Sequence, residues 1–253
     1  MSRDCKRRDF VAAAGALAGA TLWPAPAPAP AAPASGHRWL TQPADATVVL
    51  FQGDSITDSG RDRTVADPNS ARALGSGYPL LVASAALAAY PDRGLRFYNR
   101  GISGNKVPDL QARWADDVLA LKPDVLSILI GVNDFWHTLS HGYTGTVQDY
   151  ETQFTALLDE TTRALPNARL VILEPFVLRC GAVDDRWFPE FDQRRAAAAR
   201  VAQHARATFI GLQKTFDDLS RRATPAYWAA DGVHPTPAGH AVIAEHWRRA
   251  AHL

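Results

Sequence analysis

The sequence predicts an α/β protein, a three-layer α/β/α sandwich around a five-stranded parallel sheet. Two observations carry this. Five short β-branched and aromatic runs alternate with stretches of helical periodicity, at intervals of about 30 to 45 residues. The runs are almost continuously apolar, as strands covered on both faces must be. Right-handed crossovers between parallel strands then place helices on both sides of the sheet.

The elements follow in order. Val48 to Phe51 is the first strand, and it stops at Gly53-Asp54-Ser55. Glycine allows a sharp turn there and leaves a hydroxyl just past the C-terminal strand end, the edge where open α/β sheets bind ligands. Asp58 to Gly77 is polar and long for a connection, which points to a binding loop. Tyr78 to Tyr90, rich in Ala and Leu, reads as a helix ended by Pro91. Leu95 to Asn99 is the second strand, and the loop Arg100-Gly-Ile-Ser-Gly104 leaves its end. Pro108 suits the first turn of a helix reaching about Leu121, with Leu110, Trp114, Val118 and Leu121 on one face. Val125 to Ile130 is the third strand, followed by Gly131-Val-Asn-Asp134. Thr146 caps a helix that carries Tyr150, Phe154, Leu157 and Leu158 on one side. Leu170 to Leu173 is the fourth strand, then a loop with Pro175, Gly181 and Pro189. Phe191 to Arg206 is a helix, Thr208 to Ile210 the fifth strand, and Thr215 to Arg222 another helix. The loop Asp231-Gly-Val-His-Pro235 leads into a last helix capped by Thr236, with Pro237 at its first position.

Of the 253 residues, 47% are hydrophobic and 21% charged, which is ordinary for a globular chain. Residues 1–34 stand apart. Lys6-Arg7-Arg8-Asp9-Phe10 precedes a short apolar stretch to Trp23 and then a Pro/Ala run with Ala-x-Ala sites. That order describes an export signal of the twin-arginine type, with a cleavage site or short linker in the Pro/Ala segment. Residues 35–253 then form one domain. Whether the mature protein stays periplasmic or is secreted is left open. Losing Arg3, Lys6, Arg7, Arg8, Asp4 and Asp9 from totals of 27 basic and 26 acidic residues leaves a net charge of −1. Near-neutrality gives no reason to expect nucleic acid or an anionic membrane as partner. No apolar run reaches the ~20 residues of a membrane anchor. Cys5 leaves with the signal, so Cys180 has no intrachain partner. The sequence leaves homo-oligomer formation open.

Four loops hold unusual polar residues: Ser55, Gly101, Asn133, and Asp231 with His234. Acyl transfer needs such a set: a hydroxyl, a base for its proton, a carboxylate to orient the base, and donors for an oxyanion. Gly232 lets the last loop turn tightly and Pro235 pushes His234 toward an extended backbone, so that Asp231 can face one ring nitrogen. Each piece alone also has a plain structural reading, as helix cap, tight turn or positive-φ residue; their joint occurrence does not. His137-x-x-x-His141 has the spacing of a zinc pair on a helix, but Gly142 and the neighbouring Thr and Ser point to a loop, and no third ligand follows.

Gly53-Asp54-Ser55-Ile56, Gly101, Gly131-Val-Asn133-Asp134 and Asp231-Gly-Val-His234 resemble the four signature blocks of the SGNH hydrolases, or GDSL esterases, across about residues 47–249. The resemblance implies a flavodoxin-like fold with Ser55 as nucleophile, His234 as base and Asp231 as its partner. It implies an oxyanion hole from the Ser55 and Gly101 N–H groups and the Asn133 amide, with no metal or cofactor. Phe51 to Arg61, Gly75 to Tyr78, Arg100 to Asn105, Ala112-Arg-Trp114 and Gly131 to Trp136 are similar to the bacterial acetylxylan esterase branch, which removes acetyl groups from xylan and xylo-oligosaccharides. The loops Thr138 to Thr146 and Gly181 to Pro189 depart from that pattern. Asp54, Tyr78, Trp136 and Trp228 are the candidate substrate contacts, and a carbohydrate or other small ester is the expected partner. A general short-chain esterase, a lysophospholipase, and an idle carbohydrate-binding relative are the alternatives.

Overall fold

The polar and apolar pattern of the strands decides the architecture of this computed structural model, which describes residues 47–251. Residues 1–34, where an export signal is expected, lie outside those residues. Five parallel strands, β1 (Val48–Gly53), β2 (Arg96–Asn99), β3 (Val125–Leu129), β4 (Arg169–Leu173) and β5 (Thr208–Ile210), lie in the order β2-β1-β3-β4-β5. This is the doubly wound order whose reversal point falls between β1 and β3.

Side chains alternate across each strand, so each sends one set to either face. Val49, Phe51, Val125, Leu129, Val171 and Leu173 join the core under α3 (Tyr78–Ala89) and α10 (Pro237–Ala250). Leu50, Leu126, Ile128, Leu170 and Ile172 join the core under α4 (Val107–Gln111), α6 (Val147–Ala164) and α7 (Glu190–His204). Ser127 is the polar exception in the central strand, and its Oγ accepts a 2.9 Å hydrogen bond from Trp247 Nε1. A third cluster, Val132, Phe135, Val177, Val183, Trp187, Phe191 and Val233, packs around the loops that follow β3 and β4.

The remaining helices are short: α1 (Ser55–Asp58), α2 (Ala71–Leu74), α5 (Val132–Ser140), α8 (Gln213–Leu219) and α9 (Pro225–Trp228). Three expectations change. The helix expected from Pro108 to Leu121 breaks after α4, and Ala115–Leu119 forms a π-helical turn. The stretch from Asp58 to Gly77 is not a free binding loop along its whole length: it contains α2, and Asn69 pairs with the edge of β2 through Phe97 N–H to Asn69 Oδ1 at 2.8 Å and Asn69 N–H to Phe97 O at 3.1 Å. His137 lies in α5 rather than in a loop. Among the described residues no helix is long and apolar enough to cross a membrane.

The longest helix begins with a reciprocal cap. Thr146 Oγ1 accepts from Asp149 N–H at 3.1 Å, and the Asp149 carboxylate accepts from Thr146 N–H at 2.9 Å. Thr146→Ala removes one half of this box, so it is expected to lower stability by about 1 kcal/mol in denaturant unfolding.

Candidate active site

β1 delivers Ser55 to the C-terminal edge of the sheet. A Cβ at Gly53 would lie 2.3 Å from the Leu129 carbonyl oxygen and 2.5 Å from Thr57 Oγ1, so only glycine lets the chain turn there. Asp54 then caps α1, its carboxylate accepting from Ile56 N–H at 3.0 Å. Ser55 opens α1, and a first-turn N–H has no partner within its own helix.

His234 Nε2 stands 2.8 Å from Ser55 Oγ, and His234 Nδ1 stands 2.6 Å from Asp231 Oδ2. A carboxylate only accepts, so the proton sits on Nδ1 and Nε2 is left to accept from the serine hydroxyl. The other carboxylate oxygen accepts from Val233 N–H at 2.9 Å and His234 N–H at 2.7 Å. One aspartate thus folds its own loop and aims the imidazole. Burial works to raise the Asp231 pKa, but the bonds from the His234 ring and the two N–H groups outweigh it and hold the carboxyl below its ordinary range. Gly232, at φ +86, lets the loop pass against the Leu178–Val183 segment; a Cβ there would lie 2.4 Å from the Cys180 carbonyl. Leu178 N–H to Gly232 O and Ala182 N–H to Asp231 O, both 2.8 Å, lock the two segments together.

The loop after β2 corrects one expectation. The Gly101 N–H is not available to an oxyanion: Gly101 is buried, its N–H donates to Asn99 Oδ1 at 2.9 Å, and a Cβ there would lie 2.5 Å from the Asp58 nitrogen. Three residues on, Gly104 is partly exposed at φ +85, and its N–H makes no hydrogen bond among the described residues. The loop is pinned on either side of it. Ser103 donates to the Asp58 carboxylate through N–H at 2.9 Å and Oγ at 3.1 Å, and Asn105 N–H donates to Ile102 O at 3.1 Å. Both glycines of Gly101-Ile-Ser-Gly104 were visible in the sequence, but only the partner of each amide tells the tight turn from the open donor.

Asn133 sits in the first turn of α5. Its Nδ2 donates to the Asn105 carbonyl at 3.1 Å, which leaves the second hydrogen of the same amide unused. Ser55, Gly104 and Asn133 therefore bring one N–H each from three different elements.

The proposed substrate contacts divide. Trp136 is half-buried with its ring 6.0 Å from that of His234 and 5.7 Å from that of Trp187, so it borders the base. Tyr78 cannot touch substrate: its side chain is 0% exposed, and its hydroxyl pairs with Thr57 Oγ1 at 3.1 Å. Asp54 is likewise buried beneath α1 by the cap it makes. Trp228 is half-buried and donates from Nε1 to Leu219 O at 3.2 Å, while its carbonyl accepts from Thr236 N–H at 2.9 Å. It braces the loop that carries His234. Trp187, against which Trp136 packs, is fully buried. His137 and His141 bring their rings within 4.5 Å, and among the described residues no three His, Cys, Asp or Glu side chains are grouped to hold a metal.

A hydroxyl hydrogen-bonded to an imidazole that a carboxylate orients is equipped for acyl transfer. Comparison with known proteins agrees. The family model described as "GDSL-like Lipase/Acylhydrolase family" matches residues 51–242. The acetylxylan esterase of Geobacillus stearothermophilus is 37% identical over 208 residues, 79% of this chain and 92% of that protein. Its crystal structure covers 82% of this chain and 94% of its own, at 34% identity and a TM-score of 0.74. Structures of its catalytic mutants, with a serine, a histidine or an aspartate changed to alanine, match as well. A putative GDSL-like lipase from Parabacteroides merdae is 48% identical, covers 81% of this chain and 95% of its own, and has a TM-score of 0.80.

Two carboxyls beneath the site carry a pH signature. Burial raises Asp54 to about 7, with Asp134 adding to the shift, and burial raises Asp134 to about 7. Asp134 Oδ1 accepts from Val107 N–H at 3.1 Å, while Oδ2 is buried without a partner. Between the ordinary value of 3.8 and about 7 the folded state holds protons that the unfolded state has released. Stability therefore falls as pH rises through that window. Asp134→Asn removes its share of this loss. Unfolding at pH 4 and pH 8 is expected to show the variant gaining on the wild type at the higher pH, and a constant difference contradicts this.

Proposed function

The chain belongs to the GDSL-like lipase/acylhydrolase family and is a carboxylic ester hydrolase, and on that premise we propose that it removes acetyl groups from xylan or related polysaccharides through an acyl-enzyme on Ser55. The observation that carries the reading is the unbroken chain Ser55 Oγ, His234 Nε2, His234 Nδ1, Asp231 Oδ2, at 2.8 and 2.6 Å.

Ser55 Oγ attacks the ester carbonyl while His234 Nε2 takes its proton. The tetrahedral oxyanion is held by the N–H groups of Ser55 and Gly104 and by Asn133 Nδ2. The bond between the acyl carbon and the sugar oxygen then breaks, and His234 gives its proton to that departing oxygen. Water, deprotonated by the same imidazole, releases acetate and restores Ser55. Asp231 keeps the ring in the right tautomer and stabilises the imidazolium.

Support for acetyl over longer chains comes from the likeness to an acetylxylan esterase and from the Trp136 ring that borders the base. A polymeric substrate also accords with the twin-arginine pattern at residues 6–10, since a polysaccharide is met outside the cytoplasm.

Two measurements test this. Ser55→Ala is expected to lower ester hydrolysis by about 10³-fold or more, with folding unchanged. Acetate release from acetylated xylan, set beside aryl esters of rising chain length, is expected to favour acetyl. Faster turnover of octanoyl esters or of lysophospholipids would replace the deacetylase by a lipid-type esterase.

A further inference from the structure

We propose that Arg113 is the positioning residue of the oxyanion hole, holding its three donors in register without touching substrate. The inference rests on the acyl-enzyme reading above. The Arg113 side chain is largely buried at 19% exposure, and its guanidinium reaches four separate places. Nη2 donates to Gln52 Oε1 at 2.9 Å and to Asn105 Oδ1 at 2.8 Å. Nε donates to Asn105 Oδ1 at 3.0 Å. Nη1 donates to the Arg100 carbonyl at 2.9 Å and pairs with the Asp117 carboxylate.

Each of these partners leads to a donor. Gln52 Oε1 also accepts from Gly53 N–H at 3.0 Å, two residues before Ser55. Asn105 is next to Gly104, and its carbonyl is the acceptor that orients Asn133 Nδ2 at 3.1 Å. Arg100 begins the loop that carries Gly104. β1 and the β2 loop thus meet directly on one planar cation, and α1 and α5 are tied to it through Gly53 and the Asn105 carbonyl. Three donors on three elements work together only if those elements keep a common register, and small misplacements of catalytic groups are costly. The backbone is adapted to this cation as well. The π-helical turn Ala115–Leu119, closed by Ala120 N–H to Ala115 O at 2.8 Å, begins two residues after Arg113 and contains its partner Asp117. Such turns recur at functional sites.

Arg113→Lys tests the fork. Lysine keeps a positive charge opposite Asp117, but a single ammonium cannot span Gln52, Asn105 and Arg100 as the guanidinium does. The expected result is a kcat lower by roughly 10²-fold with KM changed less than about twofold, and an unchanged midpoint in the pH–rate profile. On an Asn133→Ala background the same substitution should cost only a few-fold, because the register it protects has already lost a donor. Asn105→Ala cuts the grip on the Gly104 loop while leaving Arg113 with Gln52 and Asp117. It should reproduce the kcat loss, and it decides the matter if Arg113→Lys does not fold. Wild-type kcat in either folded variant, or full multiplication of the losses on the Asn133→Ala background, overturns the proposal. Hydrolysis that survives Ser55→Ala would instead remove the mechanism on which it rests.

Discussion

A 2.8 Å contact between Ser55 Oγ and His234 Nε2 joins residues 179 positions apart, and the fold is arranged to hold it. One partner hangs from β1, the other from the loop before α10. Parallel pairing puts the C-terminal ends of all five strands on one edge, so loops far apart in sequence share that edge. The helix behind His234 is fixed to the centre of the sheet by Trp247, which packs on Phe51 at 5.4 Å between ring centroids and bonds Ser127. The loop in front of it is fixed to the Leu178–Val183 segment through Gly232 and Asp231. The second anchor tolerates no bulk: Gly181 and Gly232 each face backbone where a side chain would begin.

Around this contact, hydrogen bonds to the backbone do the organising. Asn99 is buried and spends its whole amide on three elements, donating to Thr57 O at 2.6 Å and Leu74 O at 2.9 Å while accepting from Gly101 N–H. Carboxyls of the same type are driven apart by their surroundings. For Asp58, burial alone would raise the pKa, but Arg63 and the Ser103 donors reverse it and keep the carboxyl low. Asp54 is raised by burial with Asp134 adding to the shift, and at Asp134 burial outweighs the opposing pull of Arg194 and Lys106.

Much of this was legible in the sequence, for a physical reason. Strands buried on both faces, such as Val125 to Leu129, write themselves as unbroken apolar runs, and Thr146 with Asp149 writes a helix start. The four loops were legible because acyl transfer demands side chains that few other turns combine. Contacts made by backbone atoms were not. Gly101 and Gly104 are identical letters, and only the Asn99 amide distinguishes the buried N–H from the open one. Tyr78 and Asp54 carry polar groups that look displayed in sequence, yet Thr57 and Ile56 absorb them inside the fold. The break after Gln111 runs against a clean helical stripe through Leu110, Trp114 and Val118, and Arg113 and Asp117, on either side of the start of the π turn, pair with each other there. Periodicity records what a helix buries; it does not record which polar group stops it.

The central claim is that Ser55 carries the acyl group during turnover. Mass spectrometry of enzyme quenched in acid while hydrolysing an acetyl ester reads this directly. The expected result is one added acetyl group on the peptide containing Ser55, and no adduct on that peptide in the Ser55→Ala variant. An adduct on another residue, or turnover with no adduct under conditions that trap the intermediate in a control serine esterase, contradicts the account.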